Sequence, residues 1–131
     1  MRDVNIIKQA VAKSVLSVVV LSTPVGMPET WLSPPPPGYQ PGHARFSWRT
    51  NLNTALGTDM PGIDPGGAAT IAHGIGVIRR SKFRDTIYLT NAAPYIVRLD
   101  EGWSRQQRAG FVDRSIRGGL AALNQTTQEI P

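Results

Sequence analysis

Nine of the eleven prolines in this chain fall between Pro24 and Pro65, and no other feature limits the fold so sharply. Proline has no backbone donor and a fixed φ, so such a stretch can enter neither a helix interior nor a central strand. Pro34-Pro35-Pro36-Pro37 followed by Gly38 is a polyproline II signature ending in a turn. Residues 24–43 therefore read as a long Pro-rich arm or loop. A segment of that length without regular structure is uncommon in a compact domain and is usually functional or disordered. Trp31 and Tyr39 lie within it, and disordered segments are poor in aromatics. Two readings stay open. The segment folds back over its own core, or it is a stiff arm that docks on a neighbouring subunit with little entropy to lose.

With 131 residues, the chain has room for a single domain, 1–131, and one core. Before the prolines, Val4, Ile7, Val11, Val15 and Val18 recur at helical spacing, which predicts an amphipathic helix over Arg2–Ser22. It stops before Thr23-Pro24, because the residue preceding proline avoids helical geometry. A secretory signal has no reason for such a period, and Asp3 and Asn5 sit among its would-be basic residues. The longest apolar stretch, Val15 to Leu21, is interrupted by Ser17 and falls short of the roughly 20 residues a bilayer requires. No membrane-spanning segment is expected.

Ala44 to Asn53 alternates strictly, with Ala44, Phe46, Trp48, Thr50 and Leu52 on one face and Arg45, Ser47, Arg49, Asn51 and Asn53 on the other. This predicts a half-buried strand from which Arg45 and Arg49 project together. A second strand is expected over Asp85 to Asn91. Between them, Asp64-Pro65 opens a helix to about Arg80, with Asp64 as N-cap and Pro65 at the first position. Gly74 and Gly76 weaken it by about 1 kcal/mol each relative to alanine. Asn91-Ala92-Ala93-Pro94 starts a short helix ended by Gly102. Val112, Ile116, Leu120 and Leu123 give a last helix from Ala109, with a bend expected at Gly118-Gly119 and a frayed tail over 125–131. The fold class is α+β: a small antiparallel sheet, its Phe46/Trp48 face packed with the long N-terminal helix and C-terminal helices, beside the long Pro-rich loop.

Catalytic groupings are missing from this pattern. There is no cysteine, hence no thiolate nucleophile or thiolate metal site. His43 and His73 stand in different elements without a carboxylate at ligand spacing, so no metal or cofactor is expected. Asp100-Glu101 are adjacent and cannot face each other across a scissile bond; they cap or solvate a helix end. No phosphate loop or dinucleotide fingerprint occurs. The chain does not read as an enzyme. Its net charge of +5 is spread without a block of like charges, so no dense basic stripe anchors phosphate. An alternative function is a small basic DNA-binding protein, with Arg105, Arg108 and Arg114 around Trp103 and Phe111 clamping phosphate and stacking bases. Arginine beside aromatics serves protein interfaces equally well. The proline run would fit an SH3-type groove only with a basic residue nearby, and Arg45 is distant.

Two separated stretches carry a family resemblance. Thr23-Pro24-Val25-Gly26 with Pro28 and Trp31, the proline run, Gly38-Tyr39 and Arg45-Phe46-Ser47-Trp48 form the first. Asn91-Ala92-Ala93-Pro94-Tyr95, Arg98-Leu99-Asp100-Glu101-Gly102-Trp103-Ser104, Gln106 and Ala109-Gly110-Phe111-Val112 form the second. In order, spacing and length the chain resembles the neck or tail-completion proteins of long-tailed bacteriophages, often described as minor tail components. It departs from them at Gln107-Arg108, where alanine-proline is common, and at the doubled acid Asp100-Glu101.

The resemblance implies a structural virion protein with a small α+β fold, assembled in the bacterial host cytoplasm and resident in the phage neck. It implies a homo-oligomeric ring, six-fold or a multiple, between the head-closure connector and the tail terminator or tail tube. Genomic DNA would pass through the lumen without specific binding, and no membrane is involved. A closed ring needs two different complementary surfaces on each subunit. The expected interface residues are Trp31, Tyr39, Trp103, Arg105 and Arg108, with Arg45 and Arg49 pairing with a neighbour or facing the lumen. Pro94, Tyr95 and Gly102 are expected to be architectural.

Overall fold

The computed structural model describes residues 2–25, 32, 39–94, 96–102, 107 and 109–128, with the backbone alone at 2, 3 and 123–128. Most of the Pro-rich segment, including Trp31 and Pro34 to Pro37, lies outside the described residues, as do Tyr95, Trp103, Arg105 and Arg108. The described chain is α+β, with a long N-terminal helix, further helices and a two-stranded antiparallel sheet.

Helix α1 spans Arg2–Ser22, the expected range. Its end is fixed by Thr23, whose N–H reaches the Val19 and Val20 carbonyls and whose hydroxyl donates to Val19 O at 2.7 Å. The buried stripe is rotated from the expected one. Ala12, Leu16, Val19 and Val20 are buried, whereas Val4 and Ile7 are each 53% exposed. Counting valines overlooked Ala12 and Leu16, which meet the sheet side of the molecule. By length and composition alone, the 19 residues Val4–Ser22 are also long and apolar enough to cross a membrane. The longest unbroken apolar run is short, but the average over the whole helix tolerates Lys8, Lys13 and the serines.

The expected strand from Ala44 divides into a one-turn helix α2, His43–Phe46, and strand β1, Trp48–Leu52. Gly42 makes the turn possible with a φ of 85°, a left-handed value that glycine adopts without penalty. Ser47 closes the turn, its N–H and hydroxyl both donating to His43 O, at 2.9 and 2.7 Å. Four alternating residues fit one helical turn as well as they fit a strand, and local hydrogen bonding by serine decides the outcome. Strand β2, Ile87–Asn91, pairs with β1 in the register Trp48↔Asn91, Thr50↔Leu89 and Leu52↔Ile87.

Helix α3, Ala68–Arg79, starts after Gly67 and not at Pro65. Asp64 still serves its first turn from outside, accepting from Gly67 N, Thr70 N and Thr70 Oγ1 at 3.2, 2.8 and 2.8 Å. Gly74 is an asset in this helix, since a Cβ there would come within 2.4 Å of Leu16 Cδ2. Helix α4 spans Ile96–Asp100 and α5 spans Phe111–Gln128. Gly102, at φ 93°, turns the chain between them where a side chain would strike the Ala109 backbone. Asp100 then caps α5: its carbonyl accepts from Gly110 N at 2.7 Å and its carboxylate from Val112 N at 3.0 Å. No break occurs at Gly118-Gly119, and the helix continues past Asn124 to Gln128.

Two buried clusters result. One joins Ala12, Leu16, Val19, Val20 and Ile78, with Trp48, Ile87 and Leu89 of the sheet against it. The other joins Ala44, Ala93, Leu99 and Phe111, and Val112 touches both. Phe46, expected on the sheet face, belongs to α2 instead. Helices α1 and α5 meet at Gly119, where a Cβ would lie 2.8 Å from Val15 Cα. Main chain cannot yield there as a flexible side chain can, so Gly119→Ala should cost about 1–3 kcal/mol. Gly118 has only Val18 Cγ1 at 3.8 Å, and Gly118→Ala should stabilise by about 0.5–1 kcal/mol. Urea denaturation of the two variants checks the opposite signs.

Candidate functional site

Of the seven expected interface residues, Tyr39, Arg45 and Arg49 are described, and the structure separates their roles. Tyr39 packs against the Ala44, Ala93, Leu99 and Phe111 cluster and donates its hydroxyl to Val25 O at 3.1 Å. At this point the chain folds back over its own core, and Tyr39 makes these contacts within the subunit.

Arg45 is corrected more fully. It lies in α2 and not on a strand beside Arg49. Its guanidinium donates to Thr23 O at 2.6 Å, Pro65 O at 2.8 Å and Leu21 O at 2.9 Å. Carbonyls at the C-terminal end of α1, which lack helical partners, are thereby tied to the approach to α3. Burial lowers the guanidinium pKa from its ordinary value, and the charge of Asp64 raises it in part. These three donors are spent within the subunit.

Arg49 is the residue that remains. It sits half-buried on β1 and has no ion-pair partner among the described residues. It lines an open cleft of about 360 Å³ with Phe46, Trp48, Leu56, Ile63, His73 and the acid Asp64. Aromatic and aliphatic walls with a cation and a carboxylate at the side suit a neutral aromatic or aliphatic side chain brought by another polypeptide. Met60 and Ile63, 45% and 54% exposed, belong to the loop that borders this cleft.

A second grouping was not legible in the sequence. His43 Nε2 lies 2.7 Å from Asp59 Oδ1, and Nδ1 lies 2.5 Å from Gly62 O. Ser47 Oγ is 3.3 Å from the same Nε2. A serine–histidine–carboxylate relay needs one ring nitrogen for each partner. Here the carboxylate and hydroxyl share a nitrogen, and the hydroxyl proton goes to His43 O. The arrangement is a strap that holds the 59–62 loop against α2. Only the sixteen-residue return of that loop brings Asp59 to His43, and no spacing rule anticipates it. Among the described residues, no group of three or more His, Cys, Asp or Glu could hold a metal ion.

Comparisons with protein-family models, with curated proteins and with solved structures find no match to this chain.

Two outcomes follow for the site. Arg45→Ala removes charge-assisted bonds to three carbonyls and should lower stability by about 2–3 kcal/mol. Arg49→Ala should stay within about 0.5 kcal/mol of wild type, and thermal melts of both variants check the contrast. Acid sensitivity is the second. Burial pushes the Asp64 carboxyl up, but hydrogen bonds from Thr70, Gly67 and Ala69 outweigh it and hold the pKa below the usual value. A carboxyl depressed by folding contributes stability that is fully present above its unfolded pKa and is lost as pH falls through the folded one. Acid titration should therefore destabilise the wild type in and below the carboxylate range, with Asp64→Asn lacking that share of the loss.

Proposed function

We propose that this chain is a structural component of the neck of a long-tailed bacteriophage, forming a ring that joins the head connector to the tail and lets DNA pass. It acts by shape and complementary contact, without catalysis or a cofactor. The supporting observation is that the two separated stretches of the resemblance meet as one structural unit. Trp48 donates its indole N–H to Thr23 Oγ1 at 2.7 Å. Asn91 donates to Ala44 O at 2.9 Å and accepts from Ala93 N at 3.0 Å. Leu99 and Phe111 of the second stretch share a buried cluster with Ala44, which stands between Tyr39 and Trp48 of the first. Residues that carry the likeness are thus the ones that join the ends of α1, α2, β2 and α5.

In this reading, each subunit meets the next head to tail. A heterologous contact of this kind closes into a ring only if its rotation divides a full turn. The Arg49 cleft is one half of the contact, and Trp31, Trp103, Arg105 and Arg108 are assigned to the surfaces that meet neighbours, the head-closure connector and the tail terminator or tube. The protein assembles in the host cytoplasm and resides in the virion.

Deletion of the coding gene in a phage that carries it, followed by electron microscopy of the lysate, tests the proposal. DNA-filled heads and separate tails are expected, with the protein present at a few copies in wild-type particles. Infectious particles of normal form in the deletion lysate would refute it.

A further inference from the structure

The segment from Arg79 to Asp85 joins α3 to β2 and carries four cations within the run Arg79-Arg80-Ser81-Lys82-Phe83-Arg84. Arg79, Arg80, Lys82 and Arg84 are all exposed, and none has an ion-pair partner among the described residues. The acid in this segment, Asp85, is turned back into the loop. Its carboxylate accepts from Asn53 Nδ2 at 3.0 Å and from Lys82 N at 2.7 Å. Its charge still acts on Lys82 and Lys8, so Arg79, Arg80 and Arg84 carry the excess positive charge of this segment.

The loop is also held in place. Lys8 of α1 donates its ammonium to Lys82 O, Phe83 O and Asp85 O at 2.8, 3.1 and 2.6 Å. Asn5 and Gln9 donate to Ser81 O at 3.2 and 3.0 Å, and Ser81 Oγ donates to Ile78 O at 2.7 Å. One lysine is thus spent on backbone so that the loop presents its other cations from a fixed base. A preset surface loses less freedom on binding. Between Lys82 and Arg84, the Phe83 ring is 43% exposed.

We propose that residues 79–84 bind the phosphate backbone of nucleic acid. Arginine supplies three of the four cations, and its planar fork matches phosphate oxygens in pairs. Backbone contact of this kind is independent of sequence and weakens steeply with salt. The exposed Phe83 ring offers an unpaired base a face to stack on, which favours a single strand. An anionic bilayer fits less well. It needs apolar surface continuous with the cations, but the polar row Asn5, Lys8 and Gln9 stands between this loop and the exposed Val4 and Ile7 of α1. The residues differ from Trp103, Arg105 and Arg108, and the proposal holds whether or not the chain builds a ring.

Fluorescence anisotropy with the full chain and a labelled single-stranded oligonucleotide tests it, from about 50 to 200 mM salt. Binding is expected, with log K falling linearly against log salt. Arg80→Gln/Arg84→Gln should reduce that slope by about two and weaken binding on the order of tenfold at the lowest salt. Lys13→Gln/Arg117→Gln removes the same charge elsewhere and should leave the slope in place; circular dichroism verifies that both variants are folded. The proposal is overturned by absence of binding at about 50 mM salt, by equal losses in the two variants, or by tighter binding to phosphatidylserine vesicles than to the oligonucleotide.

Discussion

The end of α1 is where the chain commits to its fold. Thr23 gives its hydroxyl proton to Val19 O and takes one from the Trp48 indole, so a single oxygen both finishes the helix and holds the sheet. Arg45 adds bonds to Leu21 O and Thr23 O from the turn just before β1. A buried polar atom with both roles filled stabilises the one arrangement that fills them, and any shift of helix against strand leaves it unsatisfied. The rest follows in sequence order. With β1 fixed beneath α1, its partner β2 is placed by register, and Asn91 at the end of β2 is positioned to reach back to Ala44.

Glycine is the second constraint. At Gly74 and Gly119 a side chain would strike Leu16 or the Val15 main chain, so both positions are points of close helix packing. In sequence they read as weak spots in helices. The same absence of a side chain lowers intrinsic helix propensity and permits near contact between backbones, and only the tertiary partner reveals which effect governs.

This explains how much of the molecule was legible beforehand. The extent of α1 and the pairing of two short strands came from signals local to a few residues, and the α+β class followed. Asp100, expected to cap or solvate the end of the short helix, caps the start of α5 instead. The division of 44–53 into α2 and β1 did not, because alternation over four residues cannot separate a turn of helix from a strand. Nor did the rotation of the α1 stripe, which depends on what packs against Ala12 and Leu16. At the site, sequence treated Arg45 and Arg49 as equals. One residue of offset in local structure made Arg45 a brace for the subunit and left Arg49 in an open cleft. The cationic run at 79–84 is contiguous in the sequence, and a net charge averaged over the whole chain hides it; what only the fold adds is the Lys8 anchor beneath it.

Val112 closes the account of the interior. It touches the cluster around Leu16 and the cluster around Phe111, and it is the second residue of the helix that Asp100 begins. Neither cluster can loosen without uncovering a side chain that the other also encloses. The two halves of the interior thus share a side chain, which ties the loosening of one to the loosening of the other.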